Sequence, residues 1–189
     1  GSSWKILPLI IKLHESGITG LEWFSGIPAS LGGAVYMNIH GGKYFFSDFI
    51  FGVETLTLDG QIQTHLAADL KFDYDHSYFH QNKEIILNII LNLYRGNVSN
   101  GKNIIKDWGV KKNENQPQRS AGCVWQNLDE NTQIKLGLPT RSVGYIVDQV
   151  LGLKGTRKGD AIISDKHGAF IENTGNASFS DALHLIELV

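Results

Sequence analysis

Four groups of residues have types and spacings that could do chemistry. The first is Ser25-Gly26-Ile27-Pro28-Ala29-Ser30-Leu31-Gly32-Gly33-Ala34, followed by Asn38. It lacks the Gly-Lys-Ser/Thr ending of a phosphate loop and the Gly-x-Gly-x-x-Gly spacing of a dinucleotide turn. Gly-rich backbone opening a helix still presents amides and the positive dipole end to an anion. A pyrophosphate or flavin cradle explains this segment, and so does close packing of a helix against tight turns. The second is Cys123 after Ser120-Ala121-Gly122. It reads either as a small buried hydrophobe or as a proton donor or nucleophile at a strand start. The third is Lys166-His167, with Phe170 and Asn173 nearby. The pair suits a phosphate; taken alone it reads first as a strand edge with solvated charges. The fourth is Asp73, Asp75, His76 and His80. His76 and His80 share i,i+4 spacing, but Tyr74, Ser77, Tyr78 and Phe79 between them read as a turn packing aromatics. With no cysteine or third histidine close by, no metal site is expected. Gly152, Gly155 and Gly159 around Lys154, Arg157 and Lys158 read as a basic, mobile loop.

These residues need elements to hold them. Trp4 to Ser16 reads as a helix with Leu7, Ile10, Ile11 and His14 on one face, Ser3 as its cap and Gly17 as its stop. Pro28 is placed to open a short helix. Phe49–Leu58 and Gln61–Leu66 read as a hairpin with Asp59-Gly60 as a two-residue turn. Glu84 to Tyr94 is β-branched enough to read as a buried strand. Gly96 to Gly101 reads as a loop, and Ile104 to Lys112 as a helix. A strand over Cys123–Gln126, a helix over Ser142–Leu151 and short strands near Ala161 and Phe170 follow. A last helix opens at Ser178, with Asp181 completing a capping box.

Composition narrows the function classes. The 189 residues are 42% hydrophobic and 19% charged, which fits one or two globular domains. Net charge is -2, from 17 basic and 19 acidic residues, so no nucleic-acid partner is expected. One cysteine permits no intrachain disulfide. Lys12, Asn88 and Asn92 break the longest apolar runs, so no membrane segment is expected. No signal peptide is visible, and a cytoplasmic setting without an obligate protein partner is the expectation. The chain starts at Gly1, and its only methionine is Met37. It is therefore expected to be processed, to carry a cloning scar, or to be part of something longer.

Five ordered motifs then resemble one family, the UDP-N-acetylenolpyruvoylglucosamine reductases, also called UDP-N-acetylmuramate dehydrogenases. The family shows Gly-Leu-Glu, then Gly-Ile-Pro-Gly-x-x-Gly-Gly-Ala, then Asn; here stand Gly20-Leu21-Glu22, Gly26 to Ala34, and Asn38. Its Phe-x-Tyr-Arg-x-Ser-x-Phe falls on Phe72 to Phe79. Its Gln-Pro and Ser-Ala-Gly-Ser-x-Phe-Lys-Asn fall on Gln116-Pro117 and Ser120 to Asn127. Its Gly-Leu-Lys-Gly and Ser-x-Lys-His-x-x-Phe-Ile-x-Asn fall on Gly152 to Gly155 and Ser164 to Asn173.

The resemblance implies an α+β chain. Residues 1–95 would be the second part of an FAD-binding domain of the vanillyl-alcohol-oxidase (PCMH) type. Residues 96–189 would be a substrate-binding domain like the family's C-terminal one, lacking its end. It implies NADPH and FAD as cofactors, and reduction of UDP-N-acetylglucosamine enolpyruvate to UDP-N-acetylmuramate in peptidoglycan precursor synthesis. Gly26, Ile27, Pro28, Ala29, Ser30, Gly32, Gly33, Ala34 and Asn38 would lie against FAD. Cys123 stands at the family's serine proton donor, and Asn127, Lys166 and His167 would meet the substrate.

The chain departs from the family pattern at several places. Asp75 stands where the family has an arginine that polarises the substrate. The family's Asn-Ala-Gly-Ala-Tyr-Gly flavin loop reads Asn38-Ile39-His40-Gly41-Gly42-Lys43 here. Gln126 replaces a lysine, and Ala29 a glycine. The family's Gly-Gly-Gly-Ser-Asn and C-terminal Pro-Glu-Val segments are expected outside residues 1–189, so this chain alone is expected to hold FAD poorly. The alternative reading is a catalytically degenerate homologue that binds flavin or nucleotide-sugar without turnover.

Overall fold

Helix α1 spans Ile6–Glu15 in the computed structural model, which describes residues 1–189. It starts later than expected, with Lys5 at the N-cap and no side-chain cap. Ser3 does not cap it, because the preceding segment is used elsewhere. The Trp4 carbonyl accepts from the Leu31 amide and the Ser2 carbonyl from the Gly32 amide, both at 2.8 Å. Ile6, Ile10 and His14 are buried, whereas Leu7 and Ile11 are exposed, so the buried stripe is rotated from the expected one. Gly17, at φ +72°, ends the helix, a left-handed stop that costs glycine little.

The chain forms two units, 1–110 and 111–189. In the first, β1 (Ile18–Thr19) is followed by a helical turn over Glu22–Phe24, a loop, and α2 (Leu31–Met37). Ser30, not Pro28, sets the start of α2, its Oγ accepting from the Gly33 amide at 3.2 Å. β2 (His40–Gly41) and β3 (Tyr44–Phe45) form a small ladder. β4 (Ile50–Leu56), β5 (Ile62–Leu66) and β6 (Ile85–Leu91) form an antiparallel sheet with β4 central. The hairpin loop is Leu58-Asp59-Gly60 rather than two residues. Thr57 N–H bonds the Gln61 carbonyl at 2.9 Å, and Gly60 takes φ +83°, the left-handed position such a loop needs. The strand read from Glu84 to Tyr94 is β6, but it is not buried; Ile85 and Ile90 are exposed. Its β-branched content marks a half-covered edge strand.

β7 (Tyr94–Arg95) pairs with β1. α3 (Val98–Asn115) begins inside the expected Gly-rich loop and carries the division between the units. The second unit holds β8 (Ser120–Cys123), α4 (Glu130–Lys135) and α5, which starts as Val143–Tyr145 and widens into a π turn over Ile146–Val150. β9 (Arg157–Lys158), β10 (Ala161–Ile163), β11 (Phe170–Asn173) and α6 (Phe179–Leu188) complete it. The sheet order is β8-β11-β10-β9, all antiparallel. The Ser178–Asp181 capping box forms as expected. The expected mobile loop is structured. Leu153, Gly155 and Thr156 amides bond Val147, Ile163 and Leu153 carbonyls, and Lys154 pairs with Asp148 at 3.2 Å. No helix is long and apolar enough to cross a membrane.

Each unit has its own core. Ile6, Ile10, Phe24, Val35, Phe46 and Val53 anchor the first, with Phe24 meeting Phe46 edge-on at 5.2 Å, a favoured aromatic geometry. Val147, Ile163, Phe170 and Leu185 anchor the second.

A polar knot locks the three-stranded sheet. Glu84, just before β6, accepts from Thr55 Oγ1 of β4 at 2.5 Å and contacts His65 Nε2 of β5 at 2.7 Å. Burial alone pushes the Glu84 carboxyl up. Hydrogen bonds from Thr55, His65 and Tyr78, with the charge of His65, outweigh it and hold the group below its ordinary value. A depressed folded value means the stabilisation is present above the ordinary glutamate value and is lost as pH falls through the folded one. Acid titration of thermal stability should therefore show a drop below the ordinary glutamate range, and Glu84→Gln should flatten that drop. An unchanged acid limb in the variant would assign the loss to other carboxylates.

Candidate functional site

The first-unit candidates converge on the loop ahead of α2. Phe24 C=O accepts from the Ile27 amide at 3.0 Å and Ile27 C=O from the Ala29 amide at 2.8 Å, so the loop is self-bonded. The amides of Leu31, Gly32, Gly33 and Ala34 bond Trp4, Ser2, Ser30 Oγ and the Ser30 carbonyl. The expected unpaired amides at this helix start are therefore occupied by the chain itself. What the loop offers instead is a wall. Ser25 and Gly26 to Ala29 line a cavity of about 470 Å³ with Lys5, Ile6, Leu7 and Pro8. Small residues on one side, apolar ones on the other and one ammonium suit part of a flavin dinucleotide. Gly26 to Ala29 and Lys5 are the residues that would hold it.

Asn38 acts at one remove. It is 2% exposed, with φ +43°. Its Oδ1 accepts from the Ser47 amide at 3.0 Å and its Nδ2 donates to the Asp73 carbonyl at 2.9 Å. Its side-chain amide thus joins the end of α2 to the 46–49 turn and to the Asp73–His76 turn. Ala34 is likewise fully buried in the core. Beyond Asn38, a Cβ on Gly41 would run into the Trp23 carbonyl, so that glycine is needed for a close backbone approach. His76 and His80 stack at 4.8 Å with 20° between their planes, rather than converging on one point. No three His, Cys, Asp or Glu side chains group so as to hold a metal ion.

In the second unit, Cys123 ends β8 rather than beginning a strand, opposite Phe170 of β11. It is exposed, which removes the reading as a buried hydrophobe. Gly122, at φ +104°, supplies the turn in backbone just before it. Asn127 Oδ1 accepts from the Val143 amide at 3.1 Å, fixing the start of α5. Lys166 and His167 line a cavity of about 190 Å³ with Ser142, Tyr145, Asp148 and Lys154. Lys166 Nζ donates to the Asn113 carbonyl at 3.1 Å. His167 Nδ1 accepts from the Ala169 amide at 3.2 Å. Burial first, and the Lys154 charge second, push the His167 ring below its ordinary value. A neutral ring accepting at Nδ1 carries its proton on Nε2, a donor. Asp148 in the same cavity already pairs with Lys154 at 3.2 Å, which leaves the Lys166 ammonium and the neutral His167 donor as the groups that suit an oxyanion. Sequence reasoning missed Ser142, Tyr145 and Asp148. The available signal was the Ser142 cap, with Tyr145 and Asp148 following at helical spacing. Arg119, the cation next to β8, donates Nη2 to the Gly175 carbonyl at 3.2 Å.

Comparison with known proteins gives two family matches in order along the chain. An FAD binding domain matches residues 5–65, and the UDP-N-acetylenolpyruvoylglucosamine reductase C-terminal domain matches residues 114–189. The UDP-N-acetylenolpyruvoylglucosamine reductase of Chlamydia felis is 37% identical over 179 residues, covering 94% of this chain and 56% of the relative. The crystal structure of the same-named reductase from Thermus caldophilus superposes with a TM-score of 0.84 at 31% identity, covering all of this chain and 66% of that one. The chain belongs to the UDP-N-acetylenolpyruvoylglucosamine reductase family. The reductase of Caldanaerobacter subterraneus subsp. tengcongensis adds 33% identity across the whole chain and 59% of its own length. The chain thus spans between half and two thirds of these reductases. Its architecture is the α+β one expected: a PCMH-type FAD-binding domain followed by a reductase C-terminal domain. The FAD-binding match contains the Gly26–Ala29 cavity, and the reductase C-terminal match contains Cys123, Asn127 and the Lys166–His167 cavity.

Proposed function

We propose that this protein is an FAD-dependent, NADPH-linked reductase. It converts UDP-N-acetylglucosamine enolpyruvate to UDP-N-acetylmuramate in peptidoglycan precursor synthesis. The observation that carries the reading is the succession of an FAD-binding domain and a reductase C-terminal domain on one chain, each with its own cavity.

The reduction adds a hydride and a proton across the enolpyruvyl double bond, leaving a lactyl ether. FAD, when bound, supplies the hydride chemistry. The chain's own residues do the rest. Gly26 to Ala29 and Lys5 would hold the cofactor, and Asn38 fixes the 46–49 and Asp73–His76 turns. Lys166 and His167 receive the diphosphate of the nucleotide-sugar, and Asn127 keeps α5 in register for them. The Cys123 thiol donates the proton. A thiol remains largely protonated at neutral pH yet is acidic enough to release its proton to a carbanion-like centre.

The test is a direct assay of the FAD-loaded protein with NADPH and the enolpyruvyl ether, following NADPH absorbance and the mass of the product. The expected result is NADPH consumption that depends on the ether, with a gain of two hydrogens in the product. Ether binding without any gain in mass would favour the degenerate, binding-only reading instead.

A further inference from the structure

The cavity of about 190 Å³ in the second unit has one lining residue that works against an anion. Asp148 lines it together with Lys154, Lys166 and His167. A carboxylate in that place lowers the affinity for every anion that enters. The fold does not explain its presence. Val147, not Asp148, belongs to the core of the unit, and the start of α5 is fixed by Ser142 and Asn127.

The carboxylate is held firmly. α5 widens into its π turn around Asp148, where the Leu151 amide reaches back to the Ile146 carbonyl at 2.9 Å. Such turns are rare and concentrate at functional sites. The Leu153 amide then bonds the Val147 carbonyl at 2.9 Å, which returns the chain to the helix and sets Lys154 beside Asp148. Lys154 Nζ donates to Asp148 Oδ2 at 3.2 Å. Hydrogen bonds from Gln149 and Lys154 outweigh desolvation and keep the Asp148 carboxyl below its ordinary range. The turn that carries His167 packs straight onto α5. A Cβ on Gly168 would stand 2.6 Å from the Gly144 carbonyl, and one on Gly144 2.7 Å from His167 Cε1. With the His167 ring neutral, the lining carries the charges of Asp148, Lys154 and Lys166, an excess of one positive charge.

We infer that Asp148 sets the charge specificity of this cavity, admitting the diphosphate diester of a nucleotide-sugar and turning away a nucleoside diphosphate with a free phosphate end. The inference rests on the reductase reading, in which this cavity takes the diphosphate. Both ligands offer the same nucleoside and the same phosphorus–oxygen skeleton, so shape separates them poorly. Charge separates them well. A free phosphate end carries about one negative charge more than a diester once pH exceeds ~6. Lys154 is spent on Asp148, so the diester meets the Lys166 ammonium and the His167 donor. The further charge of a free end finds no third cation and faces the Asp148 carboxylate instead. Specificity of this kind comes from repulsion of the wrong ligand, at some cost in affinity for the right one.

The experiment is calorimetric titration of the protein with UDP-N-acetylglucosamine and with UDP at about pH 8, where the free end is fully ionised. Wild type, Asp148→Asn, Lys154→Gln and the double variant are compared, with melting temperatures alongside. Asp148→Asn should tighten both ligands and move the ratio of their affinities towards UDP by about fivefold. Lys154→Gln leaves the carboxylate without its partner, so it should weaken both and move the ratio away from UDP. The double variant restores the excess charge and should return the ratio to within about twofold of wild type. A ratio that stays constant across the set overturns the inference. Weaker binding of both ligands by Asp148→Asn also overturns it, by making Asp148 a support for Lys154 alone, and so does a wild type that binds neither ligand. If Asp148→Asn does not fold, the Lys154→Gln arm decides, and a ratio that fails to move away from UDP overturns the inference. NADPH-driven turnover of the enolpyruvyl ether tests the reductase reading separately. Ratio shifts without turnover sink that reading and leave the role of Asp148 standing; turnover without ratio shifts does the reverse.

Discussion

Cys123→Ala is expected to lower turnover of the enolpyruvyl ether by about 10²–10⁴-fold, the usual weight of a positioned proton donor. Reduction of the flavin by NADPH should be unchanged, because that half-reaction needs no proton from Cys123. Stopped-flow absorbance separates the two steps: fast bleaching by NADPH, then reoxidation by the ether that is slow only in the variant. Cys123→Ser carries the sharper information. The family motif has serine at this position, and a hydroxyl in the same place keeps a donor. The serine variant should therefore retain most of the turnover that alanine loses. Full turnover in the alanine variant would remove Cys123 from the mechanism. The side chain is exposed at the end of β8, so alanine creates no cavity and a folding defect does not obscure the result. The same exposure allows an alkylation test, in which a thiol reagent inactivates wild type but spares the serine variant.

How much of this was legible in the sequence depended on the range of the forces involved. The Ser178–Asp181 box and the β4–β5 hairpin are local, and both form where their residue types require. The loop length was misread because Thr57 and Gln61 pair outside Asp59-Gly60, which moves the turn by one residue. The start of α1 was misread because Ser2 and Trp4 are committed to α2, a contact that no local pattern displays. The same contact occupies the α2 amides and turns an expected anion cradle into a wall. Lys166 and His167 were visible as a motif, but the cavity they share with Ser142, Tyr145 and Asp148 arises from tertiary packing. His40 and Asp75 lie far apart in sequence and were visible only as separate departures. The fold brings His40 Nδ1 to 3.6 Å from Asp75 Oδ1, beside Asn38, whose side chain is spent on two backbone groups. Motif order thus identified the family, while the working partners of each motif residue came from the fold.

Glu22→Ala is expected to destabilise the first unit by about 2–5 kcal/mol, because it strands two buried hydrogen-bond donors at roughly 1–3 kcal/mol each. Glu22 and His14 are each only 6% exposed, with Oε1 2.8 Å from Nε2. The other carboxylate oxygen accepts from the Gly20 amide at 2.9 Å. Removing the carboxylate leaves an imidazole and an amide without acceptors in the interior, where water cannot replace them. The packing above gives no relief. A Cβ on Gly101 of α3 would stand 2.9 Å from His14 Nε2 and 3.0 Å from Glu22 Oε1, so the helix backbone already closes over the pair. Denaturant or thermal melting of the protein should show the first-unit transition fall, with the second-unit transition in place. The double variant His14→Leu/Glu22→Leu should recover part of the loss, because it leaves the Gly20 amide as the one buried donor without its acceptor. If the double variant were as unstable as the sum of the singles, the cost would lie in packing rather than in stranded polar groups. Because the Glu22–Phe24 turn leads directly into the Gly26–Ala29 wall, any flavin affinity of the protein should fall in step with the first unit's stability. A Glu22→Ala protein that melts normally and keeps its flavin would show that the pair does not hold that loop.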